Sequence, residues 1–397
     1  MTSKFERSVR DVRLALGSIG LAVGSRTPLD RIERRNELQS SFEALDEAAA
    51  ELARALGINR GRDVELDLLG ARMAELRREL SDWLRALNRA SEADQGDEEP
   101  ADDSPSVRWI SLSAQGAQFN QTPLRPGQAL ARARETQPQA WILVSATLTA
   151  AGRFDHYLAE LGIEDVTTAR WDSPFDFARQ ALLYLPQSMP SPYEPDFAQR
   201  VAEAAWPLIR ANGGRAFLLC TTLRAVERVA ERIRQLMAFD DQQLPLLIQG
   251  ASTRRALIDA FRGSGNAILV GSISFWEGID IRGDALSLVV IDKLPFAPPD
   301  DPVVEAKVRY LRKIGRNPFN EYQLPEAIML IKQGVGRLIR DETDRGVLMI
   351  LDERLLTKPY GRTVLASLPL FARTRSETDA IEFLSRTRTP VAPSQAA

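Results

Sequence analysis

Cysteine and histidine are almost missing from this chain of 397 residues: Cys220 and His156 stand alone. A single cysteine excludes an internal disulfide and any zinc ion or iron–sulfur cluster held by cysteines of this chain. A single histidine leaves little for a zinc site or a His-based triad. No apolar run approaches the length needed to span a bilayer. The opening "MTSKFERSVR" is charged and lacks the apolar stretch of a secretory signal, so a reducing cytoplasm is the expected compartment and no membrane partner is expected. Lysine is scarce too, and none of the six follows a glycine in a GxxxxGK loop ending in Ser or Thr. The nucleotide cradle that such a loop forms is therefore absent from the sequence. Nor is there an excess of one charge: the net value is −3.

What is present is an ordinary globular balance, with 44% apolar and 26% charged residues, and enough length for two or three domains with real cores. The charge is unevenly spread. Residues 1–106 carry 22 acids and 16 bases, whereas 107–397 carry 32 acids and 35 bases. An acidic head thus hides a mildly basic body, which permits phosphate binding.

The head has helical periodicity. Leu38, Phe42, Leu45, Ala49, Leu52 and Leu56 recur at spacings of four and three, "GINRGRD" interrupts, and Leu66 to Leu87 repeat the pattern. Two amphipathic helices and a short turn predict an antiparallel hairpin over residues 1–90. The acidic, Pro- and Gly-containing stretch 91–106 reads as a solvated linker. Beyond it the pattern changes to short Val/Ile/Leu runs at 107–114, 140–148, 181–186, 215–220, 245–249, 267–272, 286–292 and 346–352. Between them lie amphipathic helices at 196–214, 223–238 and 252–262, the last capped by Ser252 and closed by Gly263. This alternation predicts an α/β fold with a parallel sheet covered on both faces.

Ligands of such sheets sit at the carboxyl ends of the strands. Polar groups fall at these places: "SATL" (145–148), Thr221 and Thr222 in "CTTL", and Glu277 and Asp280 in "GSISFWEGIDIRGD". Each also has a purely structural reading, since a threonine before a helix is commonly its cap and Gly-Ile-Asp a turn. "QGVGRLIR" (333–340) places Arg337 and Arg340 three residues apart, a spacing that puts two guanidiniums on one helix face and suits a polyanion. The structural alternative for Arg340 is an ion pair with Asp341, Asp344 or Asp352.

Taken in order, "WILVSATLTAAGRFDHYLAELG", "SPFDFARQALLYLPQSMPSP", "GSISFWEGIDIRGDALSLVVIDKLPFAPPDDPV" and "QGVGRLIRDETDRGVLMILDER" resemble the DinG branch of the DinG/XPD superfamily 2 DNA helicases. The resemblance runs from about Trp141 to Arg354, and the hairpin fits that family's helical arch. It implies two RecA-like (P-loop NTPase-type) motor domains that clamp ATP with Mg²⁺ and walk along single-stranded or forked DNA. It divides the chain into an arch-like insertion (1–90), a linker (91–106), the end of the first motor domain (107–175) and the second motor domain (176–397). It gives Ser145 and Thr147 a coupling role and Thr221 or Thr222 a contact with the DNA backbone. Glu277, Gly278 and Asp280 would lie near the nucleotide. Gln333 would address the γ-phosphate, and Arg337 and Arg340 would be arginine fingers, a device worth ~10³–10⁵ in rate in other NTPases. Phe275, Trp276 and Phe296 are the aromatic residues that could stack on bases, and each reads equally well as core.

The same resemblance marks what is missing. "LDEAA" (45–49) imitates a DEAH box, yet Asp46 and Glu47 lie within the amphipathic pattern and read as solvent-facing helix acids. The family's four cluster cysteines are absent. The sequence therefore predicts the later part of such a helicase, whose first motor domain is supplied in cis or in trans. A truncated product, a piece of a longer reading frame and half of a split enzyme all fit. A non-catalytic nucleic-acid-binding or regulatory module derived from a helicase is the alternative, and a helical-hairpin interaction protein would leave the motif series unexplained.

Overall fold

The computed structural model describes residues 2–93, 105–136, 139–150, 152–272, 275 and 285–386. The chain divides into two compact units, one of 1–136 with 298–316 and one of 137–297 with 317–397.

The first unit begins with α1 (Thr2–Ser18) and β1 (Arg26–Pro28), followed by the hairpin of α2 (Arg35–Ile58) and α3 (Val64–Ala93). Leu38 and Phe42 of α2 and Leu80, Trp83 and Leu87 of α3 form its core with Val12, Leu16 and Ile110. The expected seam is thus formed near the open end of the hairpin. At the closed end Ile58, Val64, Leu68 and Leu69 stay exposed. Asp46 pairs with Arg77 of α3 at 3.0 Å, so the DEAH look-alike is part of a helix–helix contact. β2 (Ser106–Leu112) and β3 (Ala117–Pro123) form a hairpin, and β1 pairs antiparallel on the other edge of β2. α4 (Gly127–Thr136) follows. The run at 107–114 is therefore a strand as expected, but of this small antiparallel sheet. The later helix Pro302–Lys313 joins the unit through Arg26–Asp301, Arg31–Glu305 and Arg309–Asp30 ion pairs.

The second unit holds, among the described residues, a seven-stranded parallel sheet. Its elements are α5 (Asp155–Leu161), α6 (Phe177–Gln180), β4 (Ala181–Tyr184), α7 (Phe197–Asn212), β5 (Ala216–Cys220), α8 (Leu223–Phe239), β6 (Leu246–Ile248), α9 (Arg254–Ser264), β7 (Ile268–Ser272) and β8 (Leu288–Ile291). After α10 (Pro302–Lys313), already placed in the first unit, come α11 (Leu324–Val335), β9 (Gly346–Ile350), α12 (Arg354–Thr357), α13 (Pro359–Ser367), β10 (Ala372–Thr374) and α14 (Glu377–Arg386). The strand order is β10-β4-β9-β8-β5-β7-β6, parallel throughout. Successive residues point to opposite faces, and here both faces are apolar. Phe217 and Leu219 meet Phe261, Leu324 and Ile331, while Leu218 and Cys220 meet Val201, Trp206, Val229 and Leu384. Burial on both sides is why these strands read as unbroken hydrophobic runs.

Local chemistry fixes the ends of the elements. Thr222 caps α8 by accepting from Ala225 N. α9 is capped by Thr253 and closed by Gly265 (φ 67°), each one or two residues from the Ser252 and Gly263 expected. Gly265 is the residue that takes the left-handed conformation, which glycine adopts without strain. Gly214 (φ +83°) leaves α7 so close to Asn266 that an added Cβ would lie 1.9 Å from its carbonyl oxygen.

One expected strand is not formed. Trp141 to Val144 carry no regular structure, and Ile142 and Val144 are 84% and 86% exposed. Their apolar alternation is that of a strand, but the described strands pair with other partners, and a lone strand leaves its N–H and C=O groups without a ladder.

Candidate functional site

The parallel sheet presents two ends. At the carboxyl ends of β5, β8 and β9 lie Thr221, Asp292 and Asp352. Thr221 donates its N–H to both oxygens of Asp292 at 3.1 Å and its hydroxyl to Oδ2 at 3.3 Å, and Lys293 N adds a bond of 2.7 Å. Asp292 is buried, and that burial pushes its pKa up from 3.8 to about 6 against the pull of these donors. Beside it Asp352 accepts from Leu294 N at 2.7 Å and from the Arg354 guanidinium at 2.6 Å. The hydroxyl proton of Thr221 is thus committed to Asp292. Thr222 accepts from Ala225 N at 3.1 Å, which leaves its own O–H able to donate elsewhere.

The second set of residues leads into the amino end of β9. α11 ends at Val335, with Gly336 at its cap, so Gln333 is helical while Arg337 and Arg340 are not. The expectation of two arginines on one helix face is corrected on this point. Arg337 N bonds Gly334 O and Leu338 N bonds Val335 O, a tightened turn of the i→i+3 type. Leu338 and Ile339 bury into the core between the half-buried arginines. Arg340 N and Asp341 N then donate to Asp344 Oδ2 at 2.8 and 2.9 Å. Gln180, just before β4, clamps the same turn by donating to the carbonyls of Asp341, Glu342 and Asp344. Asp352, one alternative partner for Arg340, is taken by Arg354. Gln333 Oε1 is buried and has no hydrogen-bond partner. Thr221 and the arginines therefore belong to opposite ends of the parallel strands.

The "SATL" stretch is tied to the second set. Lys332 Nζ donates to Thr149 O at 2.9 Å. Burial and the charge of Arg170 push the Lys332 pKa down. Ser145 Oγ accepts from Thr147 N at 3.3 Å. His156 on α5 adds a second tie, with Nδ1 on the carbonyl of Glu321 at 2.9 Å and Nε2 on the carboxylate of Glu326 at 3.0 Å. Both partners are acceptors, so both ring nitrogens donate only when the ring is charged. Burial opposes that charge, but these bonds outweigh it and raise the pKa. Sequence reasoning passed over His156 because a lone histidine carries no spacing pattern.

Two expected stacking residues are structural. Phe275 is 2% exposed, edge-on to Phe217, and Gly271 has no room for a Cβ because that ring lies 2.8 Å from the position it would take. Phe296 packs against Phe319 and Tyr360. Trp276, Glu277, Gly278 and Asp280 lie outside the described residues. Among the described residues no group of three or more His, Cys, Asp or Glu is arranged to hold a metal ion, and no helix is long and apolar enough to cross a membrane.

Known proteins share this architecture. The helicase C-terminal domain family matches residues 205–371. The ATP-dependent DNA helicase YoaA of Escherichia coli is 38% identical over 382 residues, covering 96% of this chain and 56% of that protein. The ATP-dependent helicase DinG of Mycobacterium tuberculosis is 37% identical over 250 residues, covering 62% of this chain and 37% of its own length. A solved XPD helicase structure superposes with a TM-score of 0.58 at 16% identity, over 94% of this chain and 62% of that one. The chain spans about half the length of the YoaA relatives it matches. The seven-stranded sheet has a RecA-like fold like that of the XPD helicase structure, and residues 205–371 carry a helicase C-terminal domain similar in sequence to the corresponding part of the YoaA and DinG helicases.

Proposed function

We propose that this chain supplies the second motor domain and arch-like unit of an ATP-dependent DNA helicase that moves along single-stranded or forked DNA in the cytoplasm. The observation that carries this reading is the likeness over 96% of the chain to a protein named as an ATP-dependent DNA helicase. ATP with Mg²⁺ would be held mainly by the phosphate-binding loop of a first motor domain, joined in cis or in trans, since no such loop occurs in this sequence. The bound nucleotide supplies a γ-phosphoryl group for transfer to water.

In this reading Arg337 and Arg340 are the fingers that stabilise charge on the equatorial oxygens. The turn that carries them is fastened from outside by Asp344 and Gln180, which suits a role needing fixed placement. Gln333 brings a buried acceptor without a partner, suited to orienting an attacking water. Glu277, Gly278 and Asp280 complete the nucleotide side. Ser145 and Thr147 report nucleotide state, and the Lys332–Thr149 bond gives them a physical link to the Gln333 helix. Thr222, whose hydroxyl proton is uncommitted, is the better donor to a DNA phosphate than Thr221, and Trp276 is a further DNA contact.

A non-catalytic nucleic-acid-binding module is the second reading, favoured by the missing lysine loop. The two separate in one experiment. DNA-stimulated ATP hydrolysis is measured for this chain alone and after addition of a separately produced first motor domain from a relative. No turnover alone and turnover in the mixture is the expected result. Turnover by the chain alone contradicts the missing cradle, and a bound but inactive mixture supports the non-catalytic reading.

A further inference from the structure

The loop from β4 to α7 contains "SPYE", residues 191–194, and it is built around one exposed ring. Glu194 N bonds Ser191 O at 2.9 Å, closing a β-turn with Pro192 and Tyr193 in its central positions. Proline fixes its own φ for the first of these, so Tyr193 is presented at the tip by covalent geometry. Tyr193 is 83% exposed. Exposure alone means little, but this ring is held. The Arg354 guanidinium lies 5.7 Å from its centroid, and Nη1 approaches the Tyr193 hydroxyl at 3.4 Å. The same guanidinium lies 5.5 Å from the centroid of the Phe296 ring. Arg354 is itself fixed by Asp352, whose side chain is fully buried, while the arginine side chain is 13% exposed. A buried carboxylate thus orients a guanidinium, and the guanidinium backs an aromatic face otherwise open to solvent.

Two more arginines hold the same loop. Arg375 donates to Gln187 O at 3.1 Å and Arg228 to Pro195 O at 3.1 Å, and both are exposed. The acids nearby are Glu194, in the turn, and Asp196, which bridges Arg200. A fixed ring flanked by exposed guanidiniums combines the two elements of sequence-tolerant single-strand binding: a face for a base and cations for the backbone. The loop follows the carboxyl end of β4, and Arg354 follows that of β9, the sheet end that also carries Thr221 and Thr222.

We propose that Tyr193, backed by Arg354, is a stacking platform for an unpaired nucleobase, and that the loop 187–195 with Arg228 and Arg375 forms part of the single-strand path. This rests on the nucleic-acid-binding reading given above and names a contact that the motif series leaves out.

The test is fluorescence anisotropy of the full chain with a labelled oligothymidylate of about 15 nucleotides, near the upper site size of one single-strand-binding module. Tyr193→Ala should weaken binding on the order of tenfold, given stacking energies of roughly 1–3 kcal/mol per base. Tyr193→Phe, which keeps the ring, should bind like the wild type. An oligonucleotide with abasic sites should bind wild type and Tyr193→Ala equally. Because Tyr193 is exposed, the melting temperature of the alanine variant should stay unchanged, which separates loss of contact from loss of fold. Equal binding of the thymidylate by wild type and Tyr193→Ala overturns the platform while leaving the nucleic-acid reading intact. Failure of the wild type to bind any oligonucleotide at low salt overturns both. An equal loss for Tyr193→Ala on thymidylate and abasic strands also overturns it, because the ring would then be acting on the backbone.

Discussion

Lys332 donates to the main-chain oxygen of Thr149 across 2.9 Å, joining residues 183 apart in the sequence. One partner immediately precedes Gln333, and the other follows "SATL" by a single residue. The bond is the direct link between the two stretches that the helicase reading couples. Replacing Lys332 with Met keeps much of the apolar stem and removes the donor. A charged hydrogen bond contributes roughly 1.5–3 kcal/mol, less where water reaches it. Lys332→Met should therefore speed amide exchange over Ser145 to Thr149 while leaving β5 and β9 protected. Unchanged exchange in that segment would show that the bond does not hold it.

Asp292 gives a pH signature. Its pKa is about 6 when folded against 3.8 in its ordinary state, so the folded chain binds this proton more tightly than the unfolded one. The sign follows directly: this group's contribution to stability falls as pH rises from about 4 to about 6, by about 3 kcal/mol in the limit of the full shift. Asp292→Asn keeps an acceptor for Thr221 and cannot ionise. Denaturant unfolding at pH 4.5 and 7.5 should show the asparagine variant gaining stability relative to wild type at the higher pH. An equal difference at both pH values would contradict a raised folded pKa.

His156 gives a slope of the same sign at higher pH. Its folded pKa is raised, so the imidazolium clamp on Glu321 and Glu326 contributes fully below the ordinary value of 6.5 and is lost as pH rises through the raised one. His156→Ala should cost more in melting temperature at pH 6 than at pH 9. The same cost at both would mean that the ring acts by packing alone.

Gly214 tests the sheet geometry. A methyl group there meets the Asn266 carbonyl at 1.9 Å, and the residue already holds φ +83°. Gly214→Ala should destabilise by at least about 2 kcal/mol, seen as a lower denaturant midpoint. A loss below about 0.5 kcal/mol would mean that α7 and β7 approach less closely than described.

The fold was legible where one physical rule dominated. The α2–α3 hairpin follows from spacings of three and four, and β5 and β9 from runs buried on both faces. β10 went unread because its three residues, Ala372 to Thr374, lie at an exposed edge and include an arginine. Trp141 to Val144 carry a strand's pattern without a described partner, and pattern alone does not supply one. In the candidate site, the spacing within "QGVGRLIR" predicted a continuous helix, but Gly336 ends α11 before Arg337. For Phe275 and Phe296 the sequence left core and stacking open, and they pack against Phe217 and against Phe319 and Tyr360, whereas Tyr193 carries no sequence signal because its backing, Arg354, lies 161 positions away.

The central claim is that Arg337 and Arg340 act on a nucleotide held mainly by another motor domain. The direct measurement is steady-state, DNA-stimulated ATP hydrolysis by a motor assembled from this chain and a first motor domain, comparing wild type with Arg337→Ala and Arg340→Ala and measuring nucleotide affinity in parallel. The account predicts that turnover falls by ~10³ or more for Arg337→Ala while nucleotide affinity changes little. Near-normal turnover in both variants, or a loss matched by an equal loss of affinity, would contradict it.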